Sequence, residues 1–442
     1  MSEPLFTPPA LRKAFSAAAR IERMLEVEAA LARAEARTGV IPATAADAIA
    51  RACRADAYDI DALQDAASNS GNLAIPLVAA LIKRVGEDDP AATGYVHWGA
   101  TSQDIIDTGL VLQLREGLDF LDTELARLCE ALAIQADAHR RTVLPGRTWL
   151  QQASPVTLGQ KLAAALAAFE RDRVRLVALR ARLLVVQFGG AVGNLAALGA
   201  HGIAVTDALA AELRLGVPEL PWHTQRDRVG ECAATLGLLT ASLGKLARDL
   251  ALLSQTEVGE AFEPAAPGRG GSSTMPQKRN PVGAAVALAA ATRVPGLVAT
   301  MLAAGAQEHE RGLGNWPAEW ETLPQIVQLA GSALVAMAEV VAGLSVDVQR
   351  MRANIDLTQG QIFAEATQMA LAPKLGRDVA HQLVADICRR AAAEGRHVRE
   401  ALAESPQVKG VLDAPALARL FDPELYLGSN DAYIDKVLES RR

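Results

Sequence analysis

The sequence predicts an all-α protein, and three observations carry that expectation. Half of the 442 residues are hydrophobic while only 4% are aromatic, so alanine, leucine and valine supply the apolar content, a mix that packs helices closely. Long heptad-like apolar patterns with few breakers run through 103–141, 154–187, 227–260, 281–306 and 319–344. The segments between them are rich in glycine and proline: "GGAVGNLAALGAHG" from Gly189, "PELPWHT" from Pro218 and "EPAAPGRGGSSTMPQK" from Glu263. At 1.5 Å per residue these helices reach roughly 40 to 55 Å, the length of bundle helices.

The elements follow in order. "RIERMLEVEAALARAEART" reads as a helix that stops at Gly39, with Pro42 shortly after. Shorter pieces lead to about residue 100, the five long helices come next, and from about residue 346 the pattern shortens again. This predicts three domains: 1–102, a central 103–345 bundle carrying a distinctive loop at 261–280, and 346–442. No period of 20 to 50 residues argues for a solenoid. Long helices faced with alanine and leucine leave apolar stripes that one chain cannot cover, which predicts a homo-oligomer.

Bulk properties exclude several classes. A formal charge of −7 and a pI near 5.6 disfavour nucleic acid as a general partner. Cys53, Cys129, Cys232 and Cys388 are far apart and show neither a disulfide framework nor a metal-ligand spacing. The start "MSEPLFTPPA" lacks a secretory signal, so a cytoplasmic location is expected. The apolar stretch 283–306 is interrupted by Arg293 and Pro295, which favours a bundle helix over a membrane span. Neither a metal nor a cofactor is expected.

Three predicted helix starts carry unusual polar residues. Thr101-Ser102-Gln103-Asp104 is close to a capping box, and Ser154-Pro155 and Asn280-Pro281 each place a capping residue before a proline. Helix N-termini offer free N–H groups and positive charge, and His97, Arg147, Lys278 and Arg279 stand nearby. Together they predict a site for a small polyanion. The glycine-rich loop is not a nucleotide loop: Lys278 is followed by Arg279 and Asn280 rather than the serine or threonine of a Walker A motif, and no strand precedes a GxGxxG.

The stretch "GSSTMPQKRNP" from Gly271 resembles the signature loop GSSxMPxKxNP of the fumarase, aspartase and adenylosuccinate lyase superfamily. The resemblance extends through "HWGATSQDIIDT", "GRTWLQQASPVTLG", "GGAVGNLAALG" and "TQRDRVGE". It implies an all-α, three-domain homotetramer around a shared central bundle, each active site assembled from three subunits. Within the superfamily the likeness is to the branch that lactonizes a carboxymuconate, a small polycarboxylate, on the strength of "MLEVEAALARAEARTGVIP", "VHWGATSQD" and "QEHERGLGNWPAEW". Where adenylosuccinate lyases hold a nucleotide phosphate with serine and arginine, this chain has Gly314 and Trp320.

By motif position Ser272 matches the superfamily's proton-transfer serine, with Lys278 and Asn280 holding the carboxylate that takes up negative charge. Activation of Ser272 by Lys278 and the following helix dipole is expected. A substrate with three carboxylates needs several positive or N–H-rich elements, and Thr101, Ser102, Arg226 and Arg311 are candidates, with His97 as a further donor. Thr148, Gln151, Gln152 and Gln225 offer neutral hydrogen bonds. Trp149 and Gln152 stand where the superfamily's usual TxGQHA segment carries a histidine that helps an amine or hydroxyl leave. A carboxylate, with a pKa near 4, leaves as the anion it already is, so lactone chemistry needs no such acid. The alternatives are an adenylosuccinate- or argininosuccinate-type lyase releasing fumarate and a helical scaffold without activity.

Overall fold

The computed structural model describes residues 4–265 and 270–441. Positions 266–269 of the expected 261–280 loop lie outside the described residues. The five long helices are Ser102–Ala138, Leu158–Leu183, Asp227–Leu253, Val282–Ala304 and Asn315–Ala342. Among the described residues the chain is all-α apart from two short antiparallel strand pairs and one isolated bridge. It divides into two compact units, one of residues 4–126, 171–244 and 286–335, the other of 127–170, 245–285 and 336–441. These divisions fall inside the long helices and so differ from the expected boundaries near 102 and 345.

In the first unit the helix Ala17–Arg37 begins at Ser16, whose hydroxyl accepts the Ala19 N–H, and stops at Gly39, held at φ 77°. Its buried face, with Ile21, Met24, Leu25 and Leu31, packs against Ala43–Ala52 and Gly202–Leu213. The abundance of small residues has a geometric reason. A Cβ on Gly244 would lie 2.5 Å from the Ala291 Cβ, which has no rotamer with which to give way, so these two helices cross at a distance that only a bare backbone allows.

The second unit contains the hairpin Val143–Thr148 and Gln151–Thr157, with Val143 opposite Thr157, Thr148 opposite Gln151 and a bulge between Pro145 and Gly146. This corrects the helix expected from Ser154. Pro155 sits inside the second strand facing Pro145, and the helix opens at Leu158, where the Thr157 hydroxyl accepts the Gln160 N–H. A proline tolerates a two-stranded ladder because each strand has a free edge that needs no N–H donor. A core of Val143, Ile355, Phe363, Leu371, Val384 and Leu402 joins the hairpin to the short C-terminal helices. Ala261–Phe262 pairs with Ser345–Val346 just before the signature loop.

Candidate active site

The expected site residues fall into two places. In the first unit, the start of the Ser102–Ala138 helix is anchored by Asp104, whose carboxylate accepts the Thr101, Gly189 and Gly190 N–H groups at 3.0, 3.0 and 2.9 Å and meets His223 Nε2 at 2.7 Å. The capping-box acid thus also fixes the turn that opens "GGAVGNL". The hydroxyls of half-buried Thr101 and Ser102 make no hydrogen bond among the described residues, so they remain available to a ligand.

One helical turn deeper, the geometry corrects an expectation. Arg226 is buried and forms a double hydrogen bond to Asp107 at 2.7 and 3.1 Å. It also donates to Glu319, with Nη2 2.6 Å from Oε2, and its guanidinium lies 4.9 Å from the Trp222 ring centroid. Burial alone would lower its pKa, but Asp107 and Glu319 outweigh burial and raise it. All three of its nitrogens are committed, so Arg226 is a structural clamp rather than a substrate ligand. Trp316 Nε1 donates to the same Asp107, and Gln307 to the same Glu319.

Arg311 is half-buried and donates to Gln103 Oε1 at 2.9 Å and to the Ala191 carbonyl at 2.7 Å. Gln103 in turn donates to the His223 carbonyl and to Asp107, so Arg311 braces the 189–195 turn. Gln225 is exposed. His97, at φ 59°, places Nδ1 2.6 Å from the buried Glu28 carboxylate. Burial lowers its pKa, but Glu28 more than offsets burial and the net direction is up. His97 is therefore partnered by protein.

In the second unit the hairpin tip is Thr148-Trp149-Leu150-Gln151. Trp149 and Leu150 have φ of 53° and 64° and are 98% and 74% exposed. Two consecutive side-chain-bearing residues in the left-handed region store backbone strain, a pattern that clusters at functional sites. Thr148 and Gln151 flank the tip and are exposed, while Gln152 is half-buried with its Oε1 unpaired. Arg147, expected near an anion, instead donates two hydrogen bonds to buried Glu260 at 2.9 and 2.6 Å, and Asn354 donates to the same carboxylate.

The signature loop closes on itself. Asn280 N–H donates to the Gly270 carbonyl at 2.8 Å and its Nδ2 donates to the Gly271 carbonyl at 3.2 Å. Asn280 therefore does not cap the next helix. Glu263 does, its carboxylate accepting the Gly283 and Ala284 N–H groups at 3.0 and 2.8 Å. This corrects the expected dipole activation of Ser272, because a protein carboxylate already occupies that helix start. Half-buried Ser272 sits in a turn where its Oγ accepts the Met275 N–H at 3.0 Å, and a donated N–H stabilises a hydroxyl as it loses its proton. Lys278 is exposed, and its ammonium meets no acceptor among the described residues.

The family described as lyase matches residues 6–296, and the one described as adenylosuccinate lyase C-terminus matches residues 360–437. The chain belongs to this lyase family, the fumarase/aspartase superfamily. It is 56% identical to a 3-carboxy-cis,cis-muconate cycloisomerase of Pseudomonas aeruginosa over 98% of this chain and 94% of that protein. The crystal structure of 3-carboxy-cis,cis-muconate lactonizing enzyme from Pseudomonas putida superposes with a TM-score of 0.94 at 54% identity, covering 98% of this chain and 97% of that one. A fumarate lyase from Mesorhizobium superposes with a TM-score of 0.92 at 42% identity, covering 99% of each chain.

As a superfamily member the chain carries several positioning groups that the motif reading missed. Asp104 was visible in sequence only as a helix cap, and its second role on Gly189 and Gly190 depends on contacts about 85 residues away. His223 had no ligand spacing to mark it. Glu263 lies three residues before the undescribed part of the loop and carries no motif of its own.

Proposed function

We propose that the protein is a 3-carboxy-cis,cis-muconate cycloisomerase producing a carboxymuconolactone in aromatic catabolism. In the reaction a substrate carboxylate oxygen adds to an alkene carbon, forming the ring C–O bond. The π pair moves to the neighbouring carbon and spreads into its carboxylate as an enediolate-like dianion, and a proton then joins that carbon. Substrate and product are isomers, so no oxidant, reductant or co-substrate is consumed.

Kinship with cycloisomerases over nearly the whole chain supports this reading. The observation that carries the mechanism is Ser272, whose Oγ is held by the Met275 N–H. With that donor in place Ser272 gives its proton to carbon, the alkoxide is stabilised in place, and solvent restores the proton. Lys278 supplies positive charge to the carboxylate that takes up the electron pair, and Asn280 keeps the loop closed around it. Thr101 and Ser102 offer hydroxyls to a second carboxylate. Thr148, Gln151, Gln152 and Gln225 are the neutral donors, and Arg311 acts through the 189–195 turn.

We further propose a cytoplasmic homotetramer in which different subunits lend these segments to one site. Val282–Ala304 is apolar, yet only 33% of its most apolar window is buried within the chain, and the bare hairpin tip also calls for a cover. The test is to mix the purified protein with 3-carboxy-cis,cis-muconate and follow loss of the diene absorbance. The likeness to a fumarate lyase favours a second reading, release of fumarate from a succinyl adduct. Fumarate formation from such adducts with no loss of muconate absorbance would establish it instead.

A further inference from the structure

The first unit holds a cavity of about 840 Å³ that none of the expected site residues lines. One wall is the stripe Ile106, Leu110 and Gln113 of the Ser102–Ala138 helix. Ser102 stands one turn before Ile106 on the same face, so this stripe continues from the helix start that offers its hydroxyls to a ligand. Arg20 and Trp320 also line the cavity.

Arg20 is half-buried, its guanidinium 5.4 Å from the Trp320 ring centroid, and it forms no side-chain hydrogen bond or ion pair among the described residues. Burial lowers its pKa, and Glu321 only partly offsets this. The Trp320 Nε1 is itself buried without an acceptor. A guanidinium drawn out of water with no hydrogen-bonded acid and an indole N–H without a partner are each unfavourable. With Arg293 also on the wall, the two arginines outnumber Glu321. Asn72 adds a neutral donor.

We propose that Arg20 and Trp320 seat one carboxylate of the conjugated substrate and thereby select a tricarboxylate over a dicarboxylate. The proposal rests on the cycloisomerase reading. Arg20 donates to the carboxylate while the indole N–H supplies a second bond to the same group. The flat conjugated chain lies along the apolar stripe toward Ser102.

The test compares wild type with Arg20→Gln, Arg20→Lys and Trp320→Phe, after confirming unchanged melting and oligomeric mass. With 3-carboxy-cis,cis-muconate, Arg20→Gln raises KM about 10-fold or more, the size of a lost charge-assisted pair, and leaves kcat within about 3-fold. Arg20→Lys recovers part of the affinity and Trp320→Phe raises KM a few-fold. As a binding probe free of turnover, benzene-1,2,4-tricarboxylate binds wild type more tightly than benzene-1,3-dicarboxylate, and Arg20→Gln abolishes the difference. If Arg20→Gln fails to fold, Arg20→Lys and Trp320→Phe carry the same comparison.

A folded Arg20→Gln enzyme with unchanged KM and unchanged probe preference overturns the inference and leaves the cycloisomerase reading intact. A wild type that does not turn over the muconate overturns that reading, while the probe still decides the pocket. Loss of oligomer without loss of probe binding shows Arg20 facing an acid of a neighbouring subunit, and likewise overturns it.

Discussion

Glu263 lays its carboxylate across the start of the Val282–Ala304 helix, where Oε1 accepts the Ala284 N–H at 2.8 Å. Its backbone carbonyl also accepts from Arg279 Nη2 at 2.9 Å, so one residue upstream of the signature motif holds both the motif and the helix that follows it. Glu263→Ala removes a helix cap worth about 1 kcal/mol and frees the loop ends. Limited proteolysis between residues 265 and 280 accelerates and kcat falls. Glu263→Gln, which keeps an acceptor oxygen, shows a smaller change. Equal cleavage rates in wild type and Glu263→Ala would remove this role.

Ser272→Ala lowers kcat on the muconate by about 10²- to 10⁴-fold, the range of a lost proton-transfer group, with the melting temperature unchanged. The side chain is half-buried and holds only turn N–H groups, so folding does not depend on it. Near-normal turnover would assign proton delivery elsewhere.

Arg226→Met leaves Asp107 and Glu319 buried without their shared cation, a change that costs roughly 3–5 kcal/mol. Denaturant midpoint and melting temperature both drop, and Arg226→Lys rescues only part because it cannot span both carboxylates. A catalytic role would show the reverse: activity lost while stability is kept.

Glu35 is buried near Glu28, and burial first, then the Glu28 charge, raises its pKa from 4.5 to about 9. The folded protein therefore holds a proton that the unfolded chain releases above 4.5, so stability declines as pH rises through that interval and levels off above about 9. Glu35→Gln keeps the shape without the proton. Its melting temperature exceeds that of wild type at pH 8, and the gap narrows toward pH 5. Parallel pH profiles for the two proteins would contradict the assignment.

The five long helices were legible because apolar periodicity over more than twenty residues has few other readings. Their ends were not always so. Asp227 opens its helix where expected, but the helix expected from Ser154 yields to a hairpin because strand pairing with Val143–Thr148 is a non-local fact. The signature loop was legible as a motif, since Ser272, Lys278 and Asn280 stand at fixed spacings. What stayed hidden was partner choice. Arg226 and Arg147 look alike in sequence to a ligand-binding arginine, and only the placement of Asp107, Glu319 and Glu260 shows that protein carboxylates have claimed them. Arg20 was hidden for the opposite reason, as an arginine inside an ordinary amphipathic helix.

The hairpin tip has a practical corollary. An indole and a leucyl side chain standing in water at Trp149 and Leu150 make the solitary chain adhesive, so specific activity should decay in highly dilute stocks and on hydrophobic tube walls. Carrier protein or a trace of mild detergent would then preserve the enzyme during assay, whereas a chain content to remain alone would show no such dependence on handling.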